Sequence, residues 1–412
     1  MNYGNPSNLG IIACPGGEVF ANQIIRHLIK GHTRTFNRIV NDLSKRFELD
    51  RNVVIKRMRF NNEAAIILAS SANSGCSEHY THFKIPTRFS LFANGEVKAD
   101  IQESIRGKDI YIVQDVENHY PLAMEGCAKH AVLSVNDHLM TLFVTVDAAR
   151  EAGAGRITAV LPVYPYSRQH KKKGREGITA PRIGQVLEFL GVNRIITLDL
   201  HSRDIGNAFN RMILENLHAS YQIIRELTRL PGILDNDFVV VAPDTGAVDR
   251  NKFYATTLKK PLALLYKERD YSRVSYDARD TNIENMKLLG DVHGKTVFMA
   301  DDMLGTGGTL LKAMQYIREQ GAKKVLAAIS LPLFSGKAVQ FFDEAYKEGF
   351  FYRIIGTNAV YQEEILKREW YRSVNITGLF AQVIARIHQN TSLSPLLDNR
   401  DIINKLLVER TE

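Results

Sequence analysis

Short runs rich in β-branched and apolar residues recur along the chain, and segments with the apolar spacing of helices separate them. Runs of this length and composition predict buried strands, and their alternation with helices predicts parallel sheets covered by helices. In such α/β sheets ligands bind beyond the carboxyl ends of the strands, so the residues after each run are the candidates for a functional site. The runs are 11–14, 110–113, 157–161, 195–198, 238–241, 262–265, 296–299 and 325–329.

The composition favours a soluble protein with two domains. The chain has 412 residues, of which 45% are hydrophobic and 24% charged, which is enough for two compact cores. A boundary near residue 220 would give two similar α/β halves, 1–219 and 220–412. No apolar run approaches the ~18 residues of a membrane span, and the first residues do not resemble a signal peptide, so we expect a cytoplasmic protein.

Cysteine content and net charge constrain the function only weakly. Cys14, Cys76 and Cys127 are too few and too scattered for a disulfide framework and lack metal-ligand spacing, so we expect reduced thiols. The net charge of +8 suits a nucleic-acid binder and a protein with several phosphate-bearing ligands equally well.

The most informative loop follows the run at 296–299. Asp301 and Asp302 stand at the end of this predicted strand, where they can accept hydrogen bonds from two vicinal hydroxyls. A glycine-rich turn then leads into a predicted helix, whose first backbone N–H groups and dipole attract a phosphate. The sequence therefore predicts a site for a phosphorylated sugar. The residues of the turn are Gly305, Thr306, Gly307, Gly308 and Thr309.

Four other strand ends carry polar groups. A basic loop at 164–175 follows one run, and we expect an anion to order it because its like charges repel. Asp199 and His201 follow the next run, Asp244 lies in the turn 243–246, and paired cations occupy 267–269. Gathered in one cleft, these groups predict a site for a polyphosphate with Mg²⁺, in which carboxylates hold the hydrated ion and cations neutralise the transferring group.

These motifs resemble, in order, those of the ribose-phosphate pyrophosphokinases, also called phosphoribosyl pyrophosphate synthetases, over roughly residues 84–397 and the first strand and helix. The resemblance implies two similar phosphoribosyltransferase-like domains, each a mainly parallel sheet flanked by helices, with the final helix and tail packing back on the first. It implies transfer of the diphosphoryl group of Mg-ATP to the anomeric hydroxyl of ribose 5-phosphate. It also implies a homo-oligomer built from dimers, such as a hexamer, and no nucleic-acid or membrane partner.

The resemblance assigns roles residue by residue. Lys267 would stabilise the transition state and Arg269 would assist at the phosphates. Asp301, Asp302 and the turn from Gly305 to Thr309 would bind ribose 5-phosphate. The metal motif would include His201, Asp244 and Asp199. The residues implied for ATP binding are Phe92, Asn94, Gly95, Glu96, Arg168, Gln169 and His201.

Several positions depart from the family pattern. Gly305 stands where the family's phosphate loop has Asp, Ala247 replaces a glycine of the pyrophosphate loop, and His170 replaces an acidic residue. Residues at about 31–80 form an insertion, and residues 398–412 extend beyond the family's usual end.

Three alternatives to an active synthetase stay open, and the departures bear on the first of them. The first is a weak or inactive homologue that regulates a partner synthetase. Against it, the charged and polar residues that the resemblance assigns to the site are present in this chain. A type I phosphoribosyltransferase would explain the loop at 301–309 but neither the adenine segment nor the length. A nucleic-acid binder would explain only the charge.

Overall fold

The fold is an α/β arrangement with two main sheets. The computed structural model describes residues 8–57, 83–126, 130–172, 174–230, 237–269 and 283–411. Within these ranges, no helix combines the length and the apolar composition that a bilayer crossing requires.

The first sheet is parallel throughout, in the order β1-β4-β5-β6-β7, and a separate antiparallel hairpin pairs β2 with β3. The strands are β1 (Leu9–Ala13), β2 (Thr87–Leu91), β3 (Val97–Ile101), β4 (Asp109–Val113), β5 (Arg156–Leu161), β6 (Arg194–Leu198) and β7 (Ile213–Leu217).

The second sheet has the order β10-β9-β8-β11-β12-β13-β14 and is parallel except for β10, which runs antiparallel to β9. Its strands are β8 (Phe238–Ala242), β9 (Leu262–Arg269), β10 (Ile283–Leu289), β11 (Thr296–Leu304), β12 (Lys324–Pro332), β13 (Arg353–Thr357) and β14 (Tyr371–Val374).

Helices cover both faces of each sheet. They are α1 (Glu18–Phe47), α2 (Val135–Glu151), α3 (Thr179–Phe189), α4 (Ser220–Arg229), α5 (Val248–Leu258), α6 (Gly308–Glu319), α7 (Ala338–Lys347), α8 (Thr377–His388), α9 (Ser394–Leu397) and α10 (Arg400–Thr411). A further helical stretch occupies residues 51–57.

One hydrophobic core joins the two sheets. Alternate residues of each strand face opposite sides, so Ile11 packs into this central core while Ile12 packs on the outer face with α2 and α3. The central core holds one face of both sheets together with α1, α4, α5 and α8. The outer core of the second sheet is formed with α6 and α7. Contacts of Asp199 with Ser330 and of His201 with Asp302 bring the carboxyl end of β6 close to those of β11 and β12.

The α/β fold with parallel sheets is confirmed, and every predicted apolar run overlaps a strand. The helix predicted after the first strand is α1, which continues to Phe47 and so includes the start of the predicted insertion at 31–80. Residues 58–80 of that insertion lie outside the described ranges, as do Cys76 and Cys127, whereas Cys14 is a free, buried thiol. The sheets divide between Leu217 and Phe238, and a domain boundary near residue 220 remains a proposal.

Candidate active site

A cavity of about 1370 Å³ lies at the carboxyl ends of β6, β8 and β11. The loops that follow these strands line it, with part of the basic loop after β5 on another side. The structure thus brings together the strand-end segments that the sequence indicated. The predicted residues that line the cavity are Arg168, Asp199, His201, Asp244, Asp301, Asp302, Gly305, Thr306, Gly307, Gly308 and Thr309.

The glycine-rich turn forms an anion cradle at the start of α6. Gly307 has a φ of 79°, and a Cβ there would lie 2.4 Å from Cε2 of Phe342, so only glycine fits. Among the described residues, no hydrogen-bond acceptor faces the backbone N–H groups from Thr306 to Thr309. Four free amides at a helix N-terminus are suited to a phosphate.

Arg168 lies against the turn at Gly305. A Cβ at position 305 would be 3.4 Å from Nη2 of Arg168 and 3.5 Å from Nη1. A Cβ there would be in ordinary van der Waals contact, so the guanidinium lies directly against position 305, beside the amide cradle. A planar, permanently charged guanidinium there would favour a bound phosphate.

Asp301 and Asp302 differ in their surroundings. Asp302 accepts a hydrogen bond from Nδ1 of His201 across 2.6 Å, and Asp301 accepts one from the Asp302 backbone N–H at 2.9 Å. Burial and the neighbouring Asp302 charge raise the pKa of Asp301 to about 7. Burial alone would raise the pKa of Asp302 as well, but His201 and Arg250 outweigh it and lower that pKa to about 2. Asp302 therefore holds the charge and orients His201.

Asp199 is buried, and both of its carboxylate oxygens have partners. Its Oδ1 contacts Nδ1 of His218 at 2.8 Å and Nη1 of Arg250 at 3.2 Å. Its Oδ2 accepts from the hydroxyl of Ser330 at 2.6 Å and from the Ala219 backbone N–H at 3.1 Å. Burial opposes ionisation, but Arg250 and His218 outweigh it and hold the pKa of Asp199 well below its usual range. In this arrangement Asp199 anchors Arg250, and its role as a metal ligand stays a prediction.

The turn after β8 is fixed to β11 by one side chain of α5. Asp244 caps the turn by accepting from the Ala247 N–H at 3.0 Å. The fully buried Asn251 accepts from the Ala300 N–H at 2.9 Å and donates to the carbonyls of Ala300 and Ala247, each at 2.8 Å. Pairing of β8 with β11 ends at Phe298, so the Asn251 amide replaces the missing strand partner just before Asp301.

The acidic side of the cavity fits a hydrated Mg²⁺ better than a site made of protein ligands alone. In the described part of the chain, no three His, Cys, Asp or Glu side chains stand close enough to hold a metal by themselves. The charges of Asp302 and Asp244 both raise the pKa of Asp301, which reveals a local excess of negative charge. Mg²⁺ usually binds one or two carboxylates, waters and substrate phosphates, so this donor set fits the ion.

Three groups of predicted site residues are not among those that line the cavity. Two lie elsewhere, and the side chains of the third are outside the described residues. Phe92 to Glu96 form the tip of the β2–β3 hairpin, where Phe92 is half exposed, and this tip does not line the cavity. Gln169 accepts from the Thr179 hydroxyl at 2.7 Å and so contacts the start of α3 rather than the cavity. Lys267 and Arg269 belong to the backbone of β9, while their side chains lie outside the described residues.

Sequence reasoning missed several residues of the cavity or its support, among them Arg250, Asn251 and Asn399. Arg250 and Asn251 lie on the first turn of α5, just after the loop with Asp244. A cation and an amide so soon after a strand-end loop were a usable signal, because the first turn of such a helix faces the same edge as the loop. Asn399 also lines the cavity, but it is remote in sequence from every strand end considered.

Comparisons with known proteins identify the family. Residues 70–191 match a family model described as the N-terminal domain of ribose phosphate pyrophosphokinase, and residues 211–359 match the phosphoribosyl transferase domain. The ribose-phosphate pyrophosphokinase of Staphylococcus epidermidis is 34% identical over 74% of this chain and 87% of its own length. That of Nostoc is 36% identical over 74% of this chain and 84% of its own length.

A solved structure supports the same assignment. The crystal structure of phosphoribosylpyrophosphate synthetase from Mycobacterium smegmatis matches with a TM-score of 0.67 and 26% identity, covering 93% of this chain and 99% of the other. The match covers residues of both sheets. The chain belongs to the ribose-phosphate pyrophosphokinase family.

Proposed function

We propose that this protein is a ribose-phosphate diphosphokinase. The anomeric hydroxyl of ribose 5-phosphate attacks the β-phosphorus of Mg-ATP, the bond from that phosphorus to the α-phosphate oxygen breaks, and phosphoribosyl pyrophosphate and AMP are released. The observation that carries the proposal is that an amide cradle, paired carboxylates and basic residues line one and the same cavity. Such a site can position two phosphorylated substrates and neutralise developing charge without a covalent intermediate.

The second sheet would bind ribose 5-phosphate. The free amides from Thr306 to Thr309 would hold the 5-phosphate at the N-terminus of α6. Asp301 and Asp302 precede this cradle in the chain, near the end of β11, and would accept hydrogen bonds from the ribose hydroxyls. Arg168, whose guanidinium lies against Gly305, would add a positive charge from the loop after β5 of the first sheet. Ribose 5-phosphate would thus be held from both halves of the chain.

The remaining groups would serve ATP and its magnesium. The turn at 244–247 lies at the N-terminus of α5 and would hold the diphosphoryl group. Asp244 and His201 would hold hydrated Mg²⁺, directly or through water, and the ion would supply charge neutralisation at the phosphates. Lys267 would neutralise charge on the transferring group and Arg269 would assist it.

The adenine segment supports an oligomer. If Phe92, Asn94 and Glu96 recognise adenine, they must reach a cavity, and the hairpin that carries them does not line the cavity of its own chain. A second copy of the chain would bring its hairpin to this cavity, in keeping with the dimer-based homo-oligomer that the resemblance implies. We expect the enzyme to act in the cytoplasm.

The test is AMP release from ATP by the purified protein. We expect release that requires both ribose 5-phosphate and Mg²⁺, and one phosphoribosyl pyrophosphate for each AMP. Lys267→Ala should lower kcat by about 10³-fold or more, a typical loss for a preorganised cation. Lys287→Ala is the matched control, because Lys287 is an exposed lysine on the adjacent strand β10.

Two results would contradict the proposal. An unchanged kcat in Lys267→Ala would remove the assigned role of that lysine. A wild type that releases no AMP but restores a partner synthetase would favour the regulatory homologue.

A further inference from the structure

Asp398 and Asn399 line the cavity, although the segment 398–411 to which they belong lies outside both matched family regions. The helix α10 in this segment packs against α4 and α5. Ile403 is its fully buried anchor and belongs to the central core. The start of this segment is therefore fixed in place beside the cavity by the same packing that holds the two sheets together.

Asn399 is the polar residue that this packing buries. Its relative exposure is 9%, and it lines the cavity. Asn399 occupies the N-cap position of α10, because the Ile403 N–H donates to its carbonyl at 3.0 Å. An asparagine there ordinarily turns its side chain back to the first amides of the helix. Within the described residues, however, the side-chain amide of Asn399 makes no hydrogen bond to the protein.

The neighbouring charge at this point is neutralised. Asp398 accepts from Nε of Arg400 at 2.9 Å and from Nη2 at 2.5 Å, and it also accepts from the Arg400 backbone N–H. The Asp398 carboxylate is therefore neutralised by Arg400 and repels an anionic ligand only weakly. The group left to face the cavity is the Asn399 amide, with two N–H donors and one acceptor.

We propose that Asn399 contacts the polyphosphate of ATP and donates a hydrogen bond to a phosphate oxygen. Asn399 lines the cavity, and its side-chain amide, which has no partner among the described residues, is free to form hydrogen bonds with a ligand there. The polyphosphate is favoured over the ribose because α10 packs on α5, the helix that begins at the turn proposed to hold the diphosphoryl group. This inference rests on the proposed function.

The experiment compares Asn399→Ala with Asn404→Ala. Asn404 is an exposed asparagine on the same helix and serves as the matched control. We expect Asn399→Ala to raise KM for Mg-ATP by about tenfold, as for loss of one hydrogen bond to a charged group. KM for ribose 5-phosphate and the melting temperature should stay near the wild-type values. Asn399→Asp should raise KM for Mg-ATP further, because it adds a negative charge near phosphate.

Three outcomes would overturn the inference. The first is that Asn399→Ala and Asn404→Ala share the wild-type KM for Mg-ATP. The second is that Asn399→Ala raises both KM values equally and lowers the melting temperature, which indicates a structural role. If the wild type makes no phosphoribosyl pyrophosphate, the proposed function fails, and calorimetric binding of Mg-ATP still tests Asn399. In that case, equal affinity in the wild type and Asn399→Ala would overturn the inference as well.

Discussion

Gly305 and Arg168 occupy neighbouring positions in the cleft, one from each sheet. Because the guanidinium lies within 3.4 Å of where a Cβ would stand, the residue at 305 determines what Arg168 can contact. Glycine leaves the guanidinium available for a ligand phosphate. A carboxylate in its place would form an ion pair with Arg168 and would also repel a phosphate held by the amide cradle.

Gly305→Asp should therefore have a limited effect on an already active enzyme. The amides from Thr306 to Thr309 remain, and we expect kcat/KM for ribose 5-phosphate to change by about tenfold or less. Steady-state kinetics of Gly305→Asp and of the uncharged control Gly305→Asn measure the effect of the charge. An inert wild type that gains activity with Gly305→Asp would instead favour the inactive-homologue alternative.

Asn251→Leu should impair the protein more than its distance from the phosphates suggests. The substitution leaves the buried N–H and carbonyl of Ala300 without partners, at about 1–3 kcal/mol for each group. We expect a lower free energy of unfolding in urea and a lower kcat, because Asp301 follows Ala300 directly. Lys252→Leu, at an exposed position on the same helix, should change neither quantity appreciably. Wild-type stability in Asn251→Leu would show that the amide is dispensable.

At the scale of elements, the loops after the strands determine the site, and the sequence revealed most of them. Strands such as β8 and β11 have long apolar runs because both faces are buried. The hairpin strands β2 and β3 escaped prediction because each buries only one of five residues and carries charged side chains. The edge strand β7 escaped for a similar reason, since only Leu217 is buried in it.

The loop after β4 contains a buried carboxyl group that should respond to pH. Asp115 accepts from the backbone N–H groups of Tyr361 at 3.1 Å and Glu117 at 3.0 Å. Burial raises its pKa to about 7 from the ordinary 3.8. The folded state then binds a proton more tightly than the unfolded state, so the contribution of Asp115 to stability falls as pH rises from about 4 to about 7.

Asp115→Asn should flatten this dependence on pH. Urea unfolding at several pH values between 4.5 and about 7.5 measures the slope, and the variant should lose the part caused by Asp115. The exposed Asp147→Asn should keep the wild-type slope. An identical slope in Asp115→Asn would mean that the carboxyl group does not titrate in this range.

At the scale of the whole molecule, contacts between residues far apart in the chain hold the two sheets together. Asp109, at the start of β4, accepts from Nε of Arg156 at 2.8 Å and contacts Nδ1 of His388 at 2.9 Å. Arg156 also donates to the carbonyl of Ile387 at 3.2 Å. His388 is 279 positions from Asp109, and no local pattern in a single sequence pairs residues at such a separation. The same limit hid the approach of Asn399 to the cavity.

Asp109→Ala should weaken the whole protein rather than one half. Removing the carboxylate leaves the partly buried Arg156 unpaired, and we expect a loss of about 3 kcal/mol in the free energy of unfolding. Hydrogen exchange should increase in both sheets, because α8 packs in their common core. The control Glu125→Ala breaks the exposed ion pair with Arg88 and should cost under about 1 kcal/mol. Increased exchange in the first sheet alone would contradict a shared core.

The packing of α1 against α8 also constrains recombination between related genes. These helices meet in the core between the sheets, yet hundreds of residues separate them in the chain. A chimera with one crossover near residue 220 would take α1 from one parent and α8 from the other, so their contact surfaces would no longer match. Functional chimeras are therefore expected to use two crossovers, so that α1 and α8 come from the same parent.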